Sequence, residues 1–307
     1  MEGIIYISKD VVFNEDEFHF KINFTIDGHS QDPQSSQHRG SAETAKVLTL
    51  DGLKEATNNF DDKILGQGGQ GTVYRGVLQV KRTVAIKRSK VSDPNQVEQF
   101  ISEVIVLSQI NHRNVVQLLS CCLETEFPLL VYEFISNGTN FEHLRDQNKS
   151  LELGFKTRLR IATQTVGALA YLYSAASTPI IHRDVKTSNI LLYHNRTAKV
   201  SDFGASRIVP LDQSQITTLV KGTLGPEDDR SLGVYFVSSM KDGRLLHIVE
   251  RQIINEANVA QIKEVANISE RCLRWKREDK PTMKEAAMEL EGMLVMEEHR
   301  GEIQICH

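Results

Sequence analysis

The stretch "IIHRDVKTSNILL", residues 180–192, decides the fold of this chain, because polar side chains interrupt an apolar run. These side chains belong to His182, Arg183, Asp184, Lys186 and Asn189. Charged groups are rarely buried without partners, so a packed core does not explain the pattern. Asp184 is suited to accept a hydroxyl proton, Lys186 to steady a transferring phosphoryl group and Asn189 to bind a metal ion. The stretch therefore predicts a loop for phosphoryl transfer.

A second acidic motif follows a few residues downstream. In "KVSDFGAS", residues 199–206, Asp202 offers a further carboxylate. Mg²⁺ prefers hard oxygen ligands, so Asp202 and Asn189 together suit this ion. Each residue alone has an ordinary explanation as a polar loop side chain. The ordered set does not, and it favours catalysis.

A glycine-rich segment lies far upstream of these motifs. "LGQGGQGTV", residues 65–73, has a G-x-G-x-x-G pattern at Gly66, Gly68 and Gly71. Dinucleotide-binding folds use the same spacing, but there the loop opens a helix. Here the β-branched "TVYRG" continues as a strand, and no Gly-Lys-Ser/Thr follows as in a Walker loop. We therefore expect a glycine-rich hairpin whose backbone N–H groups approach phosphates.

A lysine inside an apolar strand follows the hairpin. Lys87 ends "VAIK", residues 84–87, where a buried ammonium requires an anionic partner. Glu103, on the next helix, can supply part of the negative charge that the ammonium requires. The ammonium is then left to hold nucleotide phosphates.

The coarse pattern predicts an α+β fold. Residues 64–134 are mostly strands, interrupted by a helix at roughly 95–110 with Asp93 as N-cap and Pro94 at its first position. From about residue 141 onward helices dominate. Leu50, Leu53 and Ala56 predict a short helix before the strands, and "FHFKINFTI", residues 18–26, alternates as a strand does. We expect a β-rich small lobe followed by a helical large lobe.

Composition limits the classes of partner. The chain has 307 residues and a net charge of -4, which argues against dominant contact with nucleic acid or anionic membranes. It has no apolar run near the roughly 20 residues that cross a bilayer, and no signal peptide is evident. Its four cysteines are too scattered for a disulfide framework. Cys121 and Cys122 would point to opposite faces of a strand.

These motifs, in their order, resemble the eukaryotic protein kinase family. "ATNNFDDKILGQGGQGTVYRG", "LLVYEFISNGT" and "TTLVKGTLG" are similar to plant wall-associated receptor-like kinases, and the resemblance covers about residues 46–296. It implies a bilobal kinase fold, ATP with Mg²⁺ as cofactors, and transfer of the γ-phosphate to Ser or Thr of a protein substrate. The "HRDVKTSN" form, with Lys186, is that of serine/threonine kinases. The family works at the cytosolic face of the plasma membrane, although no span is evident here.

The resemblance also implies roles for individual residues. Tyr132 would be the gatekeeper, and Arg183 would pair with a phosphorylated activation loop. The implied catalytic residues are Asp184, Lys186, Lys87 and Glu103, and the implied metal ligands are Asn189 and Asp202. The implied nucleotide-binding residues are Leu65, Gly66, Gln67, Gly68, Gly69, Gln70, Gly71, Thr72, Val73, Ala85, Lys87, Glu133 and Ile135. The candidate phosphosites are Ser214, Thr217 and Thr218.

The same resemblance divides the chain into five segments. Residues 1–45 are an extension and linker, 46–63 a juxtamembrane-like helix, 64–135 the small lobe, 136–296 the large lobe and 297–307 a tail.

The likeness is interrupted within the large lobe, after Gly225. The chain passes there to "PEDDRSLGVYF", which matches a later part of the family, so we infer that about 40 residues with the central helix are missing. Lys280 also stands where the family has an arginine. The alternative to an active kinase is therefore an impaired, nucleotide-binding pseudokinase or interaction module.

Overall fold

A five-stranded antiparallel sheet carries the glycine-rich motif, in the strand order β1-β2-β3-β5-β4. The strands are β1 (Ile64–Gly68), β2 (Gly71–Val77), β3 (Thr83–Arg88), β4 (Leu118–Cys122) and β5 (Leu129–Glu133). Two helices flank the strands in sequence: α1 (Leu50–Ala56) precedes β1, and α2 (Pro94–Ser108) lies between β3 and β4. Helix α2 begins at Pro94, whose fixed φ suits a first helical position.

A computed structural model provides the coordinates, and the chain forms two compact units within it. The first unit takes in residues up to 109 together with 117–134, and the second takes in 110–116 and the chain from 135 onward. The structure describes residues 48–61, 64–68, 71–89, 94–122, 124, 125, 129–174, 176, 178–209, 232–274 and 276–305. The strand predicted at residues 18–26 lies outside this set.

The two faces of the sheet carry different residues because side chains alternate along each strand. On one face, Val84 and Ile86 of β3 join Leu129 and Val131 of β5 in an apolar cluster that is completely sealed from solvent. On the other face lie the intervening residues of the same strands. Ala85 pairs with Tyr132, and Lys87 pairs with Leu130.

Helix α1 covers the apolar face of the sheet. Thr49 caps its N-terminus by accepting a hydrogen bond from the N–H of Gly52, and Leu53 inserts into the cluster with no exposed surface. After the helix, Asn58, Asn59 and Phe60 all have positive φ, and the Phe60 ring packs edge-on against Tyr74 of β2. The short helix predicted from Leu50, Leu53 and Ala56 is present.

The adjacent cysteines of β4 face opposite sides of the sheet, as the strand pattern predicts. Cys122 pairs with Leu129 and belongs to the apolar cluster, whereas Cys121 pairs with Leu130. Burial raises the pKa of the Cys121 thiol to about 12, and neighbouring Cys122 adds to the shift.

The second unit is mainly helical. Its longest helices, α5 (Phe155–Ser174) and α9 (Met283–Ile305), share a core of Leu159, Ile268, Ala286, Leu290 and Met293. The other helices are α3 (Asn140–Arg145), α4 (Gln147–Leu151), α6 (Leu232–Lys241), α7 (Leu245–Ile248) and α8 (Val259–Cys272). Two strand pairs complete the unit: β6 (Ile180–Ile181) with β9 (Arg207–Ile208), and β7 (Ile190–Leu192) with β8 (Ala198–Val200).

Side-chain caps and one ion pair fix the ends of these helices. Thr139 and Glu142 form a reciprocal capping box at the start of α3, which satisfies two backbone N–H groups. Arg158 of α5 donates to the Glu250 carboxylate at 2.8 Å. The hydrogen bond from Arg158 holds the pKa of Glu250 below its usual range.

Residues 110–116 belong to the second unit, although the sequence placed them in the small lobe. Asn114 donates through Nδ2 to the carbonyl of Ala198 at 2.8 Å, and Val116 donates its N–H to Val200 at 2.9 Å. The ring of His112 packs against Tyr171 of α5. The hydrogen bonds of Asn114 and Val116 are made by amide and backbone groups, which leave no hydrophobic periodicity in the sequence.

The described helices include none that is both long and apolar enough to cross a membrane.

Replacing Leu53 with Ala should lower the free energy of unfolding by about 2–5 kcal/mol, because it opens a cavity in a sealed cluster. Urea titration followed by circular dichroism measures the change. Leu151→Ala is the matched control, since Leu151 is 64% exposed and its truncation should cost no more than about 0.5 kcal/mol. Equal losses in the two variants would contradict the packing described for α1.

Cys121 should make stability fall at alkaline pH. The unfolded thiol ionises with its ordinary pKa of 9.0, whereas the folded thiol keeps its proton up to about 12. This contribution is fully present below pH 9 and is lost as the pH rises toward 12, at on the order of 1 kcal/mol per pH unit. The stability advantage of the wild-type chain over Cys121→Ala should therefore shrink between pH 9 and 11 in urea titrations. A constant difference would argue against the raised pKa.

Candidate active site

The glycine-rich motif is a strand–turn–strand hairpin. Strands β1 and β2 pair with Gly66 opposite Val73, Gln67 opposite Thr72 and Gly68 opposite Gly71. The predicted turn residues Gly69 and Gln70 lie outside the described residues. Since the chain continues as a strand after the motif, the hairpin differs from the strand–helix loop of a dinucleotide-binding fold.

The glycines of this hairpin differ in the space around them. Gly71 has φ +140°, and a Cβ there would lie 2.3 Å from the carbonyl oxygen of Arg88. A Cβ on Gly66 or Gly68 would meet nothing within 4 Å. Gly71 is therefore required by the fold, whereas the space beside Gly66 and Gly68 is open.

The Glu103 carboxylate lies at the polar face of the sheet with a donor on each oxygen. Lys87 donates through Nζ to Oε2 at 2.8 Å, and Tyr132 donates its hydroxyl to Oε1 at 2.6 Å. The side chain of Lys87 is 12% exposed and that of Glu103 is 4% exposed. Charged groups this deeply buried need such partners, because the interior solvates them poorly.

The remaining predicted nucleotide-binding residues are distributed along the strands. Ala85 lies on the same face of β3 as Lys87. Leu65 is an exposed residue of β1. Glu133 ends β5, where its N–H donates to the carbonyl of Gln117 at 3.0 Å. Ile135 follows two residues later as a buried residue of the second unit.

Two neighbouring loops of the second unit carry the motifs that the sequence predicts to be catalytic. The first loop leaves β6 and returns as β7, and the other leaves β8 and returns as β9. Because β6 pairs with β9 and β7 pairs with β8, the two loops are held side by side. The strand pairing thus brings Asp202 into the neighbourhood of the Asp184 segment.

Hydrogen bonds join the two loops directly. Ser201 donates both its N–H, at 2.9 Å, and its hydroxyl, at 3.0 Å, to the carbonyl of Asn189. The His182 ring bonds to the carbonyl of Ser201 through Nε2 at 3.1 Å and packs on Phe203. Its Nδ1 accepts from the N–H of Asp184 at 3.3 Å. These bonds require the neutral tautomer of His182 with its proton on Nε2.

Asp184 is the centre of the first loop. Its Oδ2 accepts from Lys186 Nζ at 2.8 Å and from Asn189 Nδ2 at 3.0 Å. Asn189 also donates to the Asp184 carbonyl at 2.9 Å. The carboxylate is therefore oriented by two donors on one of its oxygens.

Two residues on this loop pair adopt left-handed backbone conformations. Arg183 has φ +67° and Asp202 has φ +65°. Non-glycine residues there store strain, which persists only when the surroundings fix them, and such residues cluster at functional sites. The Arg183 side chain also has a buried Nε without a hydrogen-bond partner among the described residues.

The donor set around Asn189 and Asp202 fits Mg²⁺. Since the amide nitrogen of Asn189 is bonded to Asp184, its amide oxygen is the atom that can ligate a cation. The Asp202 carboxylate provides a second oxygen ligand. Mg²⁺ is commonly held by one or two protein oxygens together with substrate phosphates. The described residues contain no group of three or more His, Cys, Asp or Glu side chains that could hold a metal ion.

Some predicted residues fall outside the described residues, and some contacts were not predicted. The phosphosite candidates Ser214, Thr217 and Thr218 lie outside the described residues. The hydrogen bonds of the Tyr132 hydroxyl and of Ser201 were not predicted. A tyrosine in an apolar strand indicates a buried hydroxyl that needs a hydrogen-bond partner. The sequence does not show which residue that partner is.

The hairpin, the buried Lys87–Glu103 pair and the paired loops around Asp184 are together typical of a protein kinase fold. Comparison with known families matches residues 60–300, more than half of the chain, to the family described as "Protein kinase domain". The chain belongs to the protein kinase family.

Among curated proteins the chain is similar to wall-associated receptor kinases of Arabidopsis thaliana. Wall-associated receptor kinase 5 is 51% identical over 290 residues, which cover 81% of this chain and 40% of that protein. Wall-associated receptor kinase 3 is 48% identical over 290 residues, covering 81% and 39%. Wall-associated receptor kinase-like 1 is 44% identical over 292 residues, covering 82% and 40%. The chain thus spans about two fifths of the length of these relatives.

The two kinds of glycine should respond differently to an added methyl group. Gly71→Ala should lower the free energy of unfolding by about 1–3 kcal/mol, because its backbone is left-handed and its Cβ would meet the Arg88 carbonyl. Gly68→Ala should change it by no more than about 0.5 kcal/mol. Urea titration of both variants measures this contrast, and similar losses would contradict the two different roles.

Proposed function

We propose that this chain is an ATP-dependent protein serine/threonine kinase of the receptor-like type. The observation that carries the proposal is the Asp184 carboxylate, oriented by Lys186 and Asn189. A base held in one orientation is what proton abstraction from a bound hydroxyl requires. The tie from Ser201 to Asn189 supports the proposal, since it couples the loop that carries the base to the loop that carries Asp202.

In this proposal the first unit binds the nucleotide. The N–H groups of the hairpin and the ammonium of Lys87 bind phosphates, while Glu103 holds the ammonium in place. The backbone of Glu133, at the end of β5, binds the adenine. The open space at Gly66 and Gly68 supports the phosphate site, because a ligand can approach the backbone there.

The second unit performs the transfer. Asp184 accepts the proton of a Ser or Thr hydroxyl, whose oxygen forms a bond to the γ-phosphorus of ATP. The bond between that phosphorus and the β–γ bridging oxygen breaks, and ADP leaves with the electron pair. Lys186 offsets the negative charge on the transferring group. Asn189 and Asp202 would hold Mg²⁺, which would supply positive charge to offset that of the phosphates.

The substrate class and the location follow from the family resemblance. The Lys186 form of the catalytic loop favours Ser and Thr over Tyr. The receptor kinases that the chain resembles favour action at the cytosolic face of the plasma membrane. A protein substrate and ATP are then the partners.

Arg183 connects this activity to phosphorylation of the chain itself. Its guanidinium has a buried Nε that lacks a partner among the described residues. A phosphate on Ser214, Thr217 or Thr218 provides three acceptor oxygens, which suit a guanidinium. We therefore assign these residues as candidate phosphosites that order the following segment.

Purified chain should transfer labelled phosphate from [γ-³²P]ATP to itself and to myelin basic protein. Phosphoamino acid analysis should find the label on Ser and Thr. Asp184→Asn and Asp202→Asn should each lower incorporation by at least about 10²-fold, since the first removes the base and the second a metal ligand. Incorporation that is equal in wild type and both variants would reject this chemistry.

A second candidate function is nucleotide binding without turnover. The alignment lengths favour it: 81% of 307 residues is about 249, so about 41 of the 290 aligned positions have no counterpart here. This number agrees with the roughly 40 residues that we infer to be missing after Gly225. Loss of a central helix would remove support from the second unit while leaving the first unit intact.

Surface properties of the second unit also favour this alternative. Three apolar side chains of α6 are exposed: Leu232 by 74%, Val234 by 56% and Tyr235 by 49%. Ser239 of α6 and Gln261 of α8 are buried, yet Ser239 Oγ and both amide atoms of Gln261 have no hydrogen-bond partner among the described residues. Exposed apolar surface and unsatisfied buried polar groups are both expected where packing elements are missing.

The phosphotransfer experiment separates the two functions when nucleotide binding is measured in parallel. Titration with the fluorescent analogue N-methylanthraniloyl-ATP reports binding without turnover. Binding together with label incorporation identifies an active kinase. Binding without incorporation identifies the second function, and absence of both rejects the two proposals.

A further inference from the structure

We propose that Tyr132 is a positioning residue of the nucleotide-binding unit, because its hydroxyl fixes the carboxylate that holds Lys87. The inference rests on the proposed binding of ATP and concerns the regulation of affinity at the same site. The hydroxyl of Tyr132 lies 2.6 Å from Glu103 Oε1, and Lys87 Nζ lies 2.8 Å from Oε2. Tyr132 is 7% exposed and Glu103 is 3% exposed, so water competes little for either oxygen.

The sheet explains why these groups meet. Tyr132 pairs with Ala85, two residues from Lys87 on β3, so Tyr132 and Lys87 lie on the same face. Glu103 reaches this face from α2. Tyr132 lies on β5, which pairs with both β3 and β4 and is therefore an interior strand of the sheet. The phenol thus joins the carboxylate to an interior strand of the sheet.

Two donors on separate oxygens restrict the carboxylate more than one donor does. With Lys87 alone, the Glu103 group could rotate about its terminal torsion and keep the ion pair. A second bond from Tyr132 fixes the plane of the group, since a carboxylate accepts donors in defined directions. A bond from a hydroxyl to a carboxylate is also among the stronger hydrogen bonds, so the constraint is substantial.

Fixing Glu103 also fixes Lys87. The ammonium is a mobile charge on a flexible stem, and its position depends on the anion that it pairs with. When Glu103 is held, Lys87 is presented to the phosphates in one position and less freedom is lost on binding. Nucleotide affinity should therefore depend on the Tyr132 hydroxyl without any contact between that hydroxyl and the phosphates.

The test compares Tyr132→Phe, Glu103→Met and the double variant with the wild-type chain. Phe keeps the ring and its packing but removes the donor, and Met keeps the approximate volume of Glu while removing both acceptors. The dissociation constant for N-methylanthraniloyl-ATP with Mg²⁺ is measured for each. Tyr173→Phe is the matched control, because Tyr173 is 48% exposed on α5 and loses the same hydroxyl.

Tyr132→Phe should raise the dissociation constant about tenfold, as expected for the loss of a hydrogen bond to a charged group. It should have no further effect in the Glu103→Met background, because there is no carboxylate left to position. Tyr173→Phe should bind as the wild type does. Unchanged affinity in Tyr132→Phe, or an equal effect in both backgrounds, would overturn the proposal.

Amide hydrogen exchange distinguishes failure of this inference from failure of the proposed function. If the wild-type chain does not bind the nucleotide, the proposed function fails and exchange in α2 decides the role of Tyr132. Amides near Glu103 should then exchange about tenfold faster in Tyr132→Phe than in the wild type, and no faster in the double variant than in Glu103→Met. Equal exchange in Tyr132→Phe and the wild type would overturn the role of the hydroxyl.

Discussion

The buried carboxylate of Glu103 is the constraint on which the first unit depends. A charge removed from water must find donors within the protein, and the cost of losing one donor is several kcal/mol, about 3–5 for a broken buried pair. The donors come from β3 and β5, and the acceptor comes from α2. The position of the helix is thus coupled to the register of two strands. The apolar cluster under α1 keeps that register, because a shift of one residue would turn Lys87 into the sealed face.

In the second unit, the residues around Asp184 are held in place by a different kind of contact. There the two catalytic loops are held by the strand pairs on either side and by bonds to backbone carbonyls. Backbone acceptors hold their positions more firmly than long side chains do, which allows Asp184 and Asn189 to keep one arrangement. The left-handed φ values of Arg183 and Asp202 are the cost of this arrangement. An ion pair positions Lys87, whereas loop pairing positions the Asp184 segment, in which Lys186 and Asn189 then orient the carboxylate.

The residue types of the site could be predicted from the sequence, but several of its contacts could not. A lysine in an apolar strand demands an anion, so the pairing of Lys87 with Glu103 was within reach of physical reasoning. The sheet face and the opposed cysteines follow from alternation with a period of two. The Tyr132 bond was not predictable, because its direction depends on the placement of α2. The grouping of residues 110–116 with the second unit was not predictable either, since backbone bonds such as that of Val116 leave no pattern in side-chain chemistry.

The groups around Lys87 and those around Asp184 are held in place by different contacts. This difference matters because the chain has about 41 fewer aligned positions than its relatives. The hydrogen bonds that join Lys87, Glu103 and Tyr132 lie within the first unit, as does the apolar cluster on the opposite face of the sheet. The strand pairs around Asp184 are short, by contrast, with two or three residues in each strand, and short ladders need a packed scaffold to persist. We therefore expect loss of a core helix to affect the proposed phosphoryl transfer before the proposed nucleotide binding, because the Asp184 loop lies in the helical second unit.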